Sequence, residues 1–404
     1  MIDIKIIRQY PEKVKRLSAL KGKDVKVERI LELDLKKRTL IQRFQDLRHK
    51  QKVLGFKKPL PLKKLQQIKQ TLKEVEKQIK EIDLELLPLI LQIPNLPLEI
   101  QEKDEIVKIW NRAFTVKNPK DYLEIAQKLD LIDIKRASKT SGTRFGFLKK
   151  EAALLEFALI SFTYESLVKE GFEPIIPPVL IKPEMAKATG YPEAFEGEEA
   201  YFLEKDKLFL VGTAEQIIAP MHSNEVFEEK DLPKRYLAFS SCFRREAGSW
   251  GKETWGIFRV HQFDKIEMFS FCHPNESKKE HQFFLSLEEK LMQSLKIPYR
   301  VVKIATSNLS FPSAATYDIE AFFPSRKEYL ETHSTSNCTD FQARRLNIKF
   351  KDKNGKLNFV HTVNGTAFAM GRIIIAIIEN YQTRDGKIKV PQVLRKFLKK
   401  NTIG

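Results

Sequence analysis

The 404-residue chain has few cysteines and no motif that would pair them. It contains three, Cys242, Cys272 and Cys338, an odd number without any CxxC spacing. This usage excludes a disulfide scaffold and a cysteine-based zinc knuckle, and it predicts reduced thiols in a cytoplasm. The seven histidines are scattered and no HExxH occurs, so the sequence predicts no zinc site.

Long hydrophobic runs are also lacking. The longest aliphatic stretch, residues 373–378, is far shorter than the roughly 20 residues of a membrane span. The N-terminus places Asp3, Lys5 and Arg8 where a secretion signal needs its apolar core. We therefore expect a cytoplasmic protein with no membrane partner.

Two familiar phosphate-binding loops are absent from the sequence. Neither GxxxxGK[ST] nor GxGxxG occurs, so neither a P-loop nor a Rossmann turn is supported. If the protein handles ATP, another architecture must hold the phosphates.

Positive charge is what the chain has in excess. Lys and Arg number 71 against 53 Asp and Glu, which gives a net charge of +18. Residues 1–100 hold 24 basic and 13 acidic residues, so a quarter of the chain carries +11 of that surplus. A concentration of this size favours a polyanionic partner such as nucleic acid over a lone metabolite.

The same quarter has a heptad pattern. Leucines recur every seven residues from Leu33 to Leu54, and a second apolar series with spacings of three and four runs from Leu65 to Leu86. A Gly/Pro-containing break at 55–61 separates them, which predicts an antiparallel coiled-coil hairpin over about 27–86, roughly 35–40 Å long. The pattern alone leaves two interpretations open: a solvated spacer or dimerisation arm, or a lever that lays basic side chains along a nucleic-acid backbone.

Prolines at 88, 94 and 97 are expected to end this helical region. Beyond them a helix is predicted over 151–169, and strands are predicted near 201–211, 236–243, 257–271 and 357–363. Strands with interspersed helices favour an α+β fold over a doubly wound sheet. The sequence predicts an N-terminal helical domain over 1–103 and a second domain over 104–404.

One strand–loop–strand unit contains candidate ligand-binding residues. Residues 240–246 lead through a glycine-bearing loop, 247–256, to a second strand predicted over 257–269. Alternation would place Arg259, His261, Phe263, Lys265 and Glu267 on one face about 26 Å long. An aromatic ring between cations and a carboxylate suits a purine, a phosphate and an ammonium group. A half-exposed sheet with cross-strand ion pairs is the alternative.

These segments resemble the motifs of class II aminoacyl-tRNA synthetases, and of seryl-tRNA synthetases in particular. Residues 243–267, which contain FRRE and RVHQF, are similar to motif 2; residues 362–381, which begin TVNGTAFAMGR, are similar to motif 3. Residues 171–180, GFEPIIPPVL, are similar to motif 1, which lies at the dimer interface in the family. TAE at 213–215, SNCTDFQARR at 336–345 and the opening MIDIK are typical of the seryl enzymes. The resemblance covers nearly the whole chain in order.

The resemblance implies a catalytic domain built on an antiparallel β-sheet, following a tRNA-binding hairpin. It implies that the protein activates L-serine with ATP and Mg²⁺, and transfers serine to the terminal ribose of tRNA(Ser), with tRNA(Sec) as a further candidate, as a homodimer. Two alternatives are a ligase that charges a carrier protein and a non-catalytic RNA-binding paralogue. The hairpin argues against the first, and the retained charged residues argue against the second.

The resemblance also implies roles for individual residues. Arg244 would bridge the serine carboxylate and the α-phosphate, and Arg372 would hold the γ-phosphate; these two are the implied catalytic residues. Glu246 would accept from the adenine amino group while Phe263 stacks on the ring. The full implied ATP site consists of Arg244, Arg245, Glu246, Val260, Phe263, Glu331, Thr332, His333, Ser334 and Arg372.

Serine recognition and metal binding follow from the same resemblance. The implied serine site consists of Thr213, Ala214, Glu215, Arg244, Arg259, Glu267 and Thr366, and Glu331 with Ser334 would ligate Mg²⁺. The chain departs from the family at Thr366-Ala367, where Ser-Gly is common in bacterial motif 3. Trp250 and Trp255 stand in the motif 2 loop, where they would either stack on a terminal tRNA base or pack on each other.

Overall fold

The heptad pattern forms two long antiparallel helices in the computed structural model, which describes residues 1–57, 59, 61–110, 118–191, 199–246 and 256–404. The described chain divides into two compact units, Met1–Leu96 and Pro97–Gly404. The domain boundary after residue 103 stays a prediction. The helices of the first unit are α1 (Ile4–Gln9), α2 (Pro11–Leu20), α3 (Val27–Gly55) and α4 (Leu62–Leu91).

Helices α3 and α4 pack along the apolar seam. Leu33, Leu72 and Val75 are buried on it. Ion pairs of 2.6 Å join Arg29 to Glu85 and Lys37 to Asp83, and they show that the helices run in opposite directions. The predicted antiparallel hairpin is therefore confirmed.

The helical region ends among the prolines at 88, 94 and 97 as expected, but not at the first of them. Helix α4 continues through this proline to Leu91. Pro88 lies in the last turn, so the one backbone hydrogen bond that it cannot donate, to the carbonyl four residues earlier, is lost close to the end of the helix.

The second unit combines helices and strands. Its helices are α5 (Tyr122–Lys128), α6 (Ile134–Ser141), α7 (Lys150–Leu167), α8 (Pro183–Thr189), α9 (Glu215–Met221), α10 (Ser277–Leu295), α11 (Phe341–Leu346), α12 (Met370–Asn380) and α13 (Arg395–Leu398). Its strands are β1 (Glu105–Trp110), β2 (Ile132–Asp133), β3 (Phe147–Leu148), β4 (Glu173–Ile175), β5 (Leu180–Ile181), β6 (Phe202–Leu203), β7 (Leu208–Leu210), β8 (Val226–Glu228), β9 (Lys234–Phe243), β10 (Gln262–Cys272), β11 (Tyr299–Lys303), β12 (Ala315–Phe323), β13 (Glu328–Thr339), β14 (Lys349–Lys351), β15 (Leu357–Phe359), β16 (His361–Ala369), β17 (Ile388–Lys389) and β18 (Thr402–Ile403).

An eight-stranded sheet organises this unit, in the order β1-β11-β12-β13-β16-β10-β9-β4. Every pairing is antiparallel except that of β4 with β9. Helix α10 packs on β16 and β13, and α12 packs on β10 and β12. This architecture confirms the predicted α+β class with an antiparallel-dominated catalytic sheet.

The strand predicted over 257–269 begins later than expected. Strand β10 starts at Gln262. Upstream, the Ile257 amide donates to the Tyr122 hydroxyl at 3.0 Å and the His261 amide donates to the Arg144 carbonyl at 3.0 Å, so neither amide joins the ladder with β9. The continuous 26 Å face from Arg259 was therefore wrong, and the alternation holds only from Phe263 onward.

Among the described residues, no helix is both long and apolar enough to cross a membrane.

Candidate active site

The centre of the sheet and the first turn of α12 line a cleft of about 440 Å³. It gathers residues that lie up to 181 positions apart in the chain, from Tyr191 to Arg372, because β9, β10, β13 and β16 are neighbours in the sheet. The residues implied by the resemblance that line the cleft are Thr213, Glu215, Arg244, Glu246, Arg259, Val260, Phe263, Glu267, Glu331, Thr332, Ser334, Thr366 and Arg372.

Glu215 begins helix α9 and lies at the buried end of the cleft. Its Oε1 accepts from Gln342 Nε2 at 2.7 Å and from Asn364 Nδ2 at 3.0 Å, while its Oε2 accepts from the Tyr191 hydroxyl at 2.8 Å. Burial and the nearby Glu267 carboxylate raise the pKa of Glu215 to about 7. The side chain is thus held in one position, and its charge changes near neutral pH.

A second carboxylate, that of Glu267 on β10, lies at the same end. Its Oε2 accepts from the Thr213 hydroxyl at 3.1 Å and forms an ion pair with the Lys265 ammonium. Glu267 is only 2% exposed, and its register partner on β16 is Thr366. This end therefore combines two carboxylates with hydroxyl groups, which suits a small ligand carrying an ammonium and a hydroxyl.

An arginine covers an aromatic ring at the other end of the cleft. The Arg244 guanidinium lies 5.3 Å from the centre of the Phe263 ring, and its Nε donates to the Gly212 carbonyl at 3.2 Å. Arg259 pairs with Glu246 at 3.6 Å on the same wall. A flat ring can stack on such surfaces.

Arg372 is positioned by the junction of β16 and α12. Its Nη1 donates to the Glu331 carbonyl at 2.8 Å and lies 3.2 Å from Glu331 Oε1. A Cβ at the preceding Gly371 would come within 2.8 Å of the Ile257 carbonyl, so glycine allows this close approach.

Three of the implied residues do not line the cleft. Ala214 is fully buried, Arg245 lies over the Tyr201 ring at 5.6 Å, and the His333 ring packs 5.4 Å from Phe368. His333 sits on β13, where burial lowers its pKa to about 3, so the imidazole is neutral. Trp250 and Trp255 lie outside the described residues.

Oxygen donors cluster where the resemblance implies a metal. Among the described residues, no group of three His, Cys, Asp or Glu side chains could hold an ion. Asp318, however, is the cross-strand partner of Ser334, and its buried Oδ1 has no hydrogen-bond partner. Burial and the Glu331 carboxylate raise the pKa of Asp318. Two carboxylates and a hydroxyl fit Mg²⁺, which commonly completes its shell with waters and substrate phosphates.

Several residues that line the cleft or contact its lining received no assignment from the sequence. Gln342 lies inside the recognised segment 336–345 and Asn364 lies inside motif 3, so both could have been found there. Lys265 lies on the predicted alternating face. Tyr191 and Asp318 carried no signal, because only the fold brings them to the site.

Comparison with known proteins agrees with this geometry. Residues 1–97 match the seryl-tRNA synthetase N-terminal domain, and residues 201–381 match the class II tRNA synthetase core domain of the G, H, P, S and T enzymes. The serine–tRNA ligase of Dictyoglomus thermophilum is 42% identical over 417 residues, covering 98% of each chain, and that of Thermobifida fusca is 41% identical over 98% of this chain and 97% of its own.

The chain belongs to the seryl-tRNA synthetase family. The crystal structure of the Pyrococcus horikoshii seryl-tRNA synthetase complexed with ATP is similar along the whole chain, with a TM-score of 0.93, 37% identity and coverage of 100% and 99%. The Naegleria fowleri enzyme in complex with AMP has a TM-score of 0.90 at 32% identity, with coverage of 100% and 98%. The expected enzyme class, a class II aminoacyl-tRNA synthetase, is thereby confirmed.

Proposed function

We propose that this protein is a serine–tRNA ligase that forms seryl-adenylate from L-serine and ATP and then transfers serine to the terminal ribose of tRNA(Ser). One observation carries the proposal: a single cleft joins the carboxylates Glu215 and Glu267 to the Arg244–Phe263 surface and Arg372. An amino acid and a nucleotide can therefore bind next to each other in the same cleft.

The buried end of the cleft selects the amino acid. Glu215 and Glu267 attract the serine ammonium, and Thr366 and Thr213 offer hydroxyl partners for the serine side chain. Alanine would leave these buried polar groups unpaired, and such sites reject the analogue that lacks the hydroxyl by about 10⁴ or more.

The open end of the cleft holds ATP. The adenine ring stacks on Phe263, Glu246 accepts from its amino group, and Arg244 and Arg372 contact the phosphates. These cations face the negative charge that develops when the serine carboxylate attacks the α-phosphorus. Mg²⁺, held by Glu331, Ser334 and Asp318, would neutralise further phosphate charge when bound.

The hairpin supplies the tRNA contact. In the described part of the hairpin, no ion pair involves the exposed distal cations Arg43, Lys63, Lys64, Lys69 and Lys73. Cations near its base, such as Arg29 and Lys37, are paired. Unpaired cations are available to phosphates, which favours tRNA(Ser), or tRNA(Sec), over a carrier protein as the acceptor.

The edge of the sheet at β4 supports a homodimer. Ile176, directly after β4, is 83% exposed, and Phe157 and Leu154 on α7 are 67% and 50% exposed. A second copy of the chain would cover these apolar groups at the segment that resembles motif 1. The buried thiols of Cys242, Cys272 and Cys338 and the substrates tRNA, ATP and serine support a cytoplasmic location.

Serine-dependent exchange of pyrophosphate into ATP tests the proposal. With purified protein and Mg²⁺, L-serine should support exchange, and alanine should do so about 10⁴-fold less efficiently in kcat/KM. Exchange that is equally fast with alanine, or absent with serine, would refute the proposed substrate.

A further inference from the structure

Lys265 is a buried cation inside the cleft to which neither the motifs nor the implied sites give a role. It lies on β10 and faces the cleft, and it is 7% exposed. Its ammonium is paired with Glu267, which also accepts from Thr213. A buried ammonium requires a negative partner, and Glu267 is the counter-ion of Lys265.

The position of Lys265 along the strand places it at the reacting atoms. Phe263, Lys265 and Glu267 follow each other on one face at intervals of about 7 Å. In the proposed function, adenine lies at Phe263 and the serine ammonium lies at Glu267. The α-phosphate and the serine carboxylate connect these two ends, so they lie over the middle of the series, where Lys265 stands.

We propose that Lys265 is a further catalytic residue of adenylation, an inference that rests on the proposed function. Lys265 neutralises Glu267 through their ion pair. When the serine ammonium takes its place on Glu267, the freed Lys265 turns to the serine carboxylate and the α-phosphate.

The step that Lys265 assists is a simple displacement. A carboxylate oxygen of serine forms a bond to the α-phosphorus while the bond to the bridging oxygen of the β-phosphate breaks. Diphosphate leaves with the electron pair and no proton is transferred. Lys265 therefore acts through its charge, which stabilises the negative oxygens of the transition state together with Arg244.

Charge balance favours this exchange of partners. With serine bound, two cations compete for Glu267, and the polar contact with Thr213 keeps that carboxylate in place. The phosphate supplies a new negative partner beside Lys265. The exchange leaves no buried charge without a counter-ion before or after serine binds.

Three variants test the proposal in the exchange assay. Lys265→Gln retains a donor for Glu267 but lacks the charge, and it should lower kcat by about 10²–10³ while serine KM changes little. Lys265→Arg should stay within about tenfold of the wild-type kcat, because it keeps a cation. Lys234→Met, a lysine of β9 that does not line the cleft, is the matched control and should behave as wild type.

The outcomes separate this proposal from its competitors. A raised serine KM with kcat retained in Lys265→Gln would show that Lys265 only orients Glu267, and a wild-type rate in that variant would also overturn the proposal.

Should the single variant not fold, a double variant replaces it. Lys265→Gln/Glu267→Gln leaves no unpaired buried charge, and its kcat must still fall about 10²-fold below that of Glu267→Gln alone. A wild-type protein without serine-dependent exchange would instead refute the proposed function itself.

Discussion

The ionisation of Glu215 links the active site to pH. Burial and Glu267 raise the pKa of this carboxyl to about 7 from its ordinary 4.5, so the proton is bound below neutral pH and the attraction for the serine ammonium is lost there. We expect the Kd for serine, measured by calorimetry, to rise roughly five- to tenfold from about pH 7.5 to about pH 6.

A neutral variant provides the control for this pH dependence. Glu215→Gln keeps an acceptor for Gln342 and Asn364 but cannot ionise. It should bind serine weakly, with little dependence on pH across the same range. A wild-type Kd that stays constant would show that Glu215 does not carry the ammonium contact.

Single residues of the site were predictable where local motifs contain them. The spacing of Phe263 and Glu267 is local, and both line the cleft as the alternation predicts. The contact of Tyr191 with Glu215 depends on how α8, α9 and the sheet pack, and that of Asp318 with Ser334 depends on strand pairing. Such contacts cannot be obtained from periodicity, because they join distant parts of the chain.

Helices and strands were predictable where the hydrophobic pattern repeats over a long stretch of the chain. The seam of α3 and α4 spans many turns, so the hairpin could be predicted with its direction. The start of β10 could not be predicted, because residues 257–261 have a strand-like composition. The Ile257 and His261 amides nevertheless donate to the Tyr122 hydroxyl and the Arg144 carbonyl instead of pairing with β9. Tertiary partners decide such boundaries.

The edge formed by α7 and β4 gives a prediction at the scale of elements. Phe157→Glu places a charge among the exposed apolar groups that a second copy would bury, and it should shift the protein from dimer to monomer in sedimentation velocity. Leu357→Glu on β15, which is 51% exposed, is the control and should leave the dimer intact. A monomeric wild type, or a Phe157→Glu dimer, would contradict this interface.

At the scale of the whole molecule, charge and chemistry are divided between two parts of the chain. Residues 1–100 carry +11 of the +18 surplus, and the described lining of the cleft begins at Tyr191. The first part therefore suits a polyanion, and the second suits adenylation. The unit Pro97–Gly404 holds all of the described cleft residues.

The most direct test replaces residues 31–84 with a short Gly/Ser linker and measures both half-reactions in parallel. Serine-dependent pyrophosphate exchange should stay near the wild-type rate, while serylation of tRNA(Ser) should fall at least about a hundredfold in kcat/KM, because the phosphate contacts of the hairpin are lost. Wild-type tRNA binding should weaken steeply with salt for the same reason. Normal serylation by the shortened chain, or exchange that disappears together with serylation, would contradict the division of labour proposed for this protein.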